Sequence, residues 1–147
     1  RMGFRTFLCL FATFQATNAD QCFESLRWST WKGNIMVNEQ PLVIKGINYL
    51  GFETENNAPH GLEENDLNTI LDTLKLNNFN AIRVPFALEL VRKNPMINGV
   101  DCSKNPGLCG ANATRMLDIF IERAAERGLL ILLVIDRMTP EHGISPL

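Results

Sequence analysis

Arg83 is the one charged residue in the run AIRVPF, inside NFNAIRVPF at residues 78–86. Burying a guanidinium is costly unless it meets an anion, a carbonyl or a polar ligand. Its rigid fork of donors can hold a carboxylate or grip the oxygens of a polar ligand, so Arg83 marks a site. Ala81, Ile82, Arg83 and Val84 read as a short parallel strand, and Pro85, which cannot donate to a ladder, is expected to end it. Two other apolar runs carry a polar residue at the same end: Asn48 in VIKGINY and Asp136 in LLILLVID. Polar groups converging at the carboxyl ends of parallel strands are what an active-site rim needs. The competing reading is three unrelated loop-edge residues.

Other reactive side chains read as structure. Glu63, Glu64 and Asp66 suit a helix start, where the dipole favours acids. Glu122, Arg123, Glu126 and Arg127 suit a solvated helix face. Glu53 and Glu89 lie near loops with nothing to pair them as an acid/base couple. Glu141 and His142 are adjacent, but no triad or metal partner accompanies them.

The elements that must position Arg83 follow from periodicity. Ile35–Val37 and Leu42–Ile44 flank Asn38-Glu39-Gln40-Pro41, as in a small hairpin. Val43–Tyr49 is a strand, followed by a polar loop rich in Gly, Asn and Pro. Leu67, Ile70, Leu71 and Leu74 fall at helical spacing within residues 63–76. After the Arg83 strand comes a long loop over residues 90–111. A second helix spans residues 113–127, with Met116, Leu117, Phe120, Ile121 and Ala124 on one face and Gly128 as its stop. Leu129–Ile135 is a third strand, continuously apolar like strands covered on both faces. The order hairpin, β, α, β, α, β is the opening of a parallel α/β fold. GINYLGF lacks the G-x-G-x-x-G spacing, which disfavours a dinucleotide-binding fold.

A chain of 147 residues with net charge −2 and 46% hydrophobic residues can bury a real core. That balance gives no reason for a nucleic-acid or anionic-membrane partner. No run approaches the roughly 20 apolar residues of a membrane span. The amino terminus reads as a secretory signal over residues 1–19. Arg5 supplies the positive region, FLCLFATF the apolar region, and Thr17 and Ala19 the cleavage site. A buried first helix is the alternative. Cys9 would leave with that leader. Cys102 and Cys109 bracket SKNPGL and are expected to form a disulfide in an oxidising compartment, or else to be two free thiols. Cys22 then has no partner in view, and no histidine stands at metal-ligand spacing. Asn112-Ala113-Thr114 is a glycosylation sequon.

KGINYLGFET, PHGL, NFNAIRVPF and MLDIFIERAAERGLLILL, in that order, resemble the amino-terminal part of a family-five glycoside hydrolase, the secreted cellulase type. The resemblance covers residues 35–147. It implies a (β/α)8 TIM barrel of about 250 residues, of which this chain would hold the first three β/α units behind a small hairpin. It also implies retaining hydrolysis of β-1,4-glucan by two glutamates roughly 5–5.5 Å apart, with no metal or cofactor. Those glutamates end the family's fourth and seventh strands, so no catalytic residue is expected on this chain; both are expected beyond Leu147. Arg83 matches the arginine that keeps the nucleophile ionised. His60 in PHGL matches a loop histidine that contacts sugar hydroxyls, and Asn48 and Tyr49 lie beside it. The third strand departs from the family's Asp-x-His-Arg ending. Val134 takes the aspartate slot, Asp136 the histidine slot, and Arg137 is retained. A carboxylate cannot donate as an imidazole can, and Asp136 could pair with Arg83 instead. The expectation is a secreted, cellulase-like extracellular glycosidase acting on β-glucan, with this chain by itself inactive. The alternative is a non-catalytic carbohydrate-binding or interaction remnant of the family.

Overall fold

The computed structural model describes residues 26–140. The expected leader, Cys9, Cys22, Glu141 and His142 lie outside the described residues. The described residues divide into two compact units, residues 26–42 and 43–140.

The first unit is a three-stranded antiparallel meander. β1 (Trp28–Trp31) pairs with β2 (Asn34–Val37), and β2 with β3 (Gln40–Pro41). Lys32-Gly33 and Asn38-Glu39 all have positive φ, the conformation that matches a two-residue turn to strand twist. The pairing is tighter than the expected hairpin. Its turn is two residues, not four, and Leu42 joins the ladder only through its N–H on the Ile35 carbonyl. β1 was not foreseen, because WSTW gives no alternation of apolar and polar residues.

The second unit is a parallel sheet in the order β4 (Gly46–Asn48), β5 (Ala81–Ala87), β6 (Leu130–Arg137). α1 (Leu67–Leu76) joins the first two strands. α2 (Leu88–Lys93) follows β5, and α3 (Ala113–Glu126) leads into β6. Ile82 and Val84 of β5 are fully buried under Leu67 and Leu71 of α1 and Met116, Phe120 and Ala124 of α3. Each such side chain contributes about 1.5–3 kcal/mol by leaving water. This one-sided core fixes β5 and thereby turns Ala81 and Arg83 to the opposite face.

Local chemistry sets the ends. α1 starts at Leu67, not at residue 63, because Asp66 caps it by accepting from the Thr69 N–H at 3.0 Å. Glu63 lies outside the helix, its carboxylate accepting from the Gly61 N–H. Asn105, buried in the loop before α3, accepts from the Leu67 N–H and donates to the Leu62, Asn65 and Asp101 carbonyls. One amide thus ties two loops to the start of α1. At the other end of α3, Gly128 takes φ +63 and stops the helix as expected.

Three further expectations are corrected. Pro85 does not end its strand: β5 runs to Ala87, with Pro85 opposite Val134. The Arg83 carbonyl faces β4, where it accepts from the Tyr49 N–H at 2.9 Å. By alternation the missing Pro85 N–H also faces that side, beyond the last β4 residue, so its absence breaks no ladder bond. The loop over residues 90–111 is partly ordered into α2 and a 3-10 turn, Pro106–Leu108, with the Cys102–Cys109 disulfide closed across it. The short α2 has no side-chain cap to betray it and ends on Asn94 in the left-handed region. Finally, β6 is not covered on both faces among the described residues: Leu132, Leu133 and Ile135 are all exposed.

Candidate functional site

The register of the parallel sheet places Gly46 beside Ala81 and Asn48 beside Arg83, so these residues share the face turned away from the helices. Arg83 reaches across to β6, where its Nη2 lies 3.3 Å from Asp136 Oδ1. The second Asp136 oxygen lies 3.5 Å from Arg137 Nη2, so one carboxylate sits between two guanidinium groups. Alternation from Leu132 and Val134 puts Asp136 on the Arg83 face, and a register shift falls at the same point. Phe86 pairs with Ile135 and Ala87 with Arg137, leaving Asp136 as the extra residue of a bulge. Bulges recur next to functional sites. The Arg83–Asp136 pair is about one-third exposed, 35% and 34%, and contributes at most about 1 kcal/mol to stability.

His60 is brought to the same end of β4 by a chain of hydrogen bonds. Its N–H donates to the Leu50 carbonyl, and its carbonyl accepts from the Tyr49 hydroxyl at 2.7 Å. The Tyr49 ring itself points to the helix side, 5.6 Å from Phe120 between centroids. Burial, with Glu63 adding negative charge nearby, pushes the Tyr49 hydroxyl up to about 12. It therefore stays protonated and donates, so Tyr49 positions the His60 backbone from below. The imidazole Nε2 lies 3.4 Å from the Thr54 hydroxyl, which donates to the Gly51 carbonyl.

The loop that carries His60 is tightly built. Gly51 has φ +134, and a Cβ there would stand 2.2 Å from the Ala58 carbonyl and 2.6 Å from the His60 nitrogen. Only glycine allows this close approach. Buried Glu53 accepts from the Gly51 N–H, and buried Asn57 donates to the Glu55 carbonyl. Glu53, Thr54 and Asn57 were not foreseen as partners of His60's loop. The only sequence signal was the density of Gly, Asn and Pro between residues 51 and 61.

One rim thus gathers Asn48, Arg83, Asp136 and Arg137 as donors and an acceptor, with His60 anchored to the end of the adjoining strand. Such a surface can hydrogen-bond a ligand rich in hydroxyls. It has no pair of unpaired carboxylates for acid/base hydrolysis. Among the described residues no group of three or more His, Cys, Asp or Glu is placed to hold a metal ion. No helix among them is long and apolar enough to cross a membrane.

No family model matches the chain. It is 35% identical over 114 residues to an endoglucanase of Paenibacillus polymyxa, covering 76% of this chain and 28% of that protein. It is 36% identical over 105 residues to the major extracellular endoglucanase of Xanthomonas campestris pv. campestris, covering 71% of this chain and 21% of that one. The chain therefore spans about a quarter of the length of the curated relatives it matches. A hyperthermophilic endocellulase from the archaeon Pyrococcus horikoshii superposes with a TM-score of 0.74 at 33% identity, over 83% of this chain and 34% of that one. Another structure of the Pyrococcus enzyme, a complex with cellotetraose, also gives 0.74, at 31% identity over 80% of this chain and 33% of that one. The catalytic domain of the Xanthomonas enzyme gives 0.64 at 34% identity, over 72% and 30%. Sequence and backbone agree, and together they support a cellulase family of glycoside hydrolases, of the family-five type, for the matched residues.

Proposed function

We propose that residues 20–147 form the first three β/α units of a (β/α)8 barrel in a secreted, extracellular retaining β-1,4-glucanase, behind a leading antiparallel meander and a signal peptide at residues 1–19. The observation that carries this reading is the placement of Asn48 and Arg83 side by side on the helix-free face of the parallel sheet, at its carboxyl end. In a closed barrel that face is the interior, and that end bears the site. The neighbouring structure with cellotetraose supports a β-glucan chain as the ligand.

In this reading Arg83 donates to the nucleophilic glutamate and keeps it ionised. His60 and Asn48 meet sugar hydroxyls, and Tyr49 holds His60 in place. Asp136 stands where the family has a histidine and occupies Arg83 until the nucleophile competes for it. The described strands end with the third, so the glutamates of the fourth and seventh must come from residues other than these. No cofactor is needed for this carboxylate chemistry.

The test is a chimera in which this chain is continued by the carboxyl-terminal part of the matched Paenibacillus endoglucanase. The chimera is expected to hydrolyse soluble cellulose with retention, while the 147-residue chain alone shows no turnover. Arg83→Ala in the chimera should lower kcat/KM roughly a hundredfold with the fold retained. An undiminished Arg83→Ala, or turnover by the chain alone, would overturn the assignment. A folded but inactive chimera that still binds cellotetraose would favour the carbohydrate-binding alternative.

A further inference from the structure

We infer that Asn112 is an N-glycosylation site whose glycan leaves the cap of α3 intact. Asn112-Ala113-Thr114 is the one Asn-x-Ser/Thr sequon in the sequence. The Asn112 amide is divided between two tasks. Its Oδ1 accepts from the Arg115 N–H at 3.1 Å and caps α3. Asn112 is half-buried; its Nδ2 donates to no described residue and is not among the buried polar atoms left without a partner, so it is not sealed from solvent. Transfer joins Nδ2 to C1 of a sugar carried on a lipid pyrophosphate. The C1–O bond breaks, the lipid pyrophosphate leaves with the electron pair, and Nδ2 gives up one of its two protons. Nothing in that step touches the Oδ1 lone pairs, so the cap acceptor survives.

The order of events is also written in the fold. Both the Thr114 hydroxyl and the Thr114 N–H donate to Asn94 Oδ1 at 2.9 Å. The Ala113 N–H donates to the Pro95 carbonyl, and Asn112 bridges to Met96. A transferase must read the sequon in an accessible segment, and the folded chain has committed all three residues to the 94–96 turn. Attachment therefore precedes assembly of α3. The Cys102–Cys109 disulfide, which closes three residues upstream, belongs to the same oxidising compartment.

The full chain, with a host leader replacing residues 1–19, is expressed in a eukaryotic secretory host. Occupancy is read by peptide mapping of microsomes, so a retained chain still reports. The expected result is a glycan at Asn112, removable by peptide N-glycosidase, lost in Thr114→Ala and kept in Thr114→Ser. The glycosylated chain should melt at or above the temperature of Asn112→Asp, which keeps a cap acceptor without a glycan, and both should melt above Asn112→Ala. An unmodified Asn112 beside a normally modified reporter sequon overturns the site. A glycosylated chain that melts as low as Asn112→Ala overturns the retained cap. Neither outcome depends on cellulase activity.

Discussion

At the scale of single residues, what distinguishes the rim is who holds whom. Arg83 was recognisable in the sequence because a lone charge in an apolar strand demands a partner. The partner, Asp136, lies 53 positions away; the sequence offers it as a candidate, and the β5–β6 register brings the two together. The family resemblance sets Tyr49 beside His60 at the site. Alternation along β4 instead turns its ring into the core, and only its hydroxyl returns, to the His60 carbonyl. This has a measurable signature, because Tyr49 is the only tyrosine in the chain. Its phenolate absorbance should titrate at about 12 in the folded protein against the ordinary 10.0 in denaturant. The raised folded value means that the unfolded state loses its proton first. Stability is thus fully present below pH 10 and falls as pH rises through about 12. Tyr49→Phe should abolish that alkaline fall and cost about 0.5–1.5 kcal/mol in denaturant unfolding for the lost hydrogen bond.

At the scale of elements, the helices and central strand were legible because their apolar positions recur at 3.6 and 2 residues. What escaped was short or non-periodic: α2, β1, the 3-10 turn, and the loop from Gly51 to Gly61. That loop is held by a backbone crossing, which leaves no mark in hydrophobic periodicity. Gly51→Ala tests it. The added methyl meets the Ala58 carbonyl and the His60 nitrogen, and alanine is strained at φ +134. The expected cost is about 3 kcal/mol. Faster amide exchange should be confined to residues 50–62, with α3 protected as before. Uniform exchange behaviour across the chain would show that the crossing does not hold the loop.

At the scale of the whole molecule, the described parallel sheet leaves β6 bare on both faces. Leu132, Leu133 and Ile135 of β6 are 60%, 43% and 56% exposed, and no described strand pairs its outer edge. Such an edge templates association. The chain expressed alone should sediment as concentration-dependent oligomers, and Leu132→Lys should suppress this at a stability cost below about 0.5 kcal/mol. A monomer at all concentrations would contradict it. By itself the sequence determined the order of the longer elements, the parallel α/β class, the family resemblance and the residue types of the rim, because these follow from local periodicity and from motifs contiguous in the chain. Only the tertiary structure decided that Pro85 is tolerated, that Asp136 occupies Arg83, and that Tyr49 serves from below the rim. Each depends on which strand lies alongside and in what register, and register is settled by packing between segments far apart in sequence.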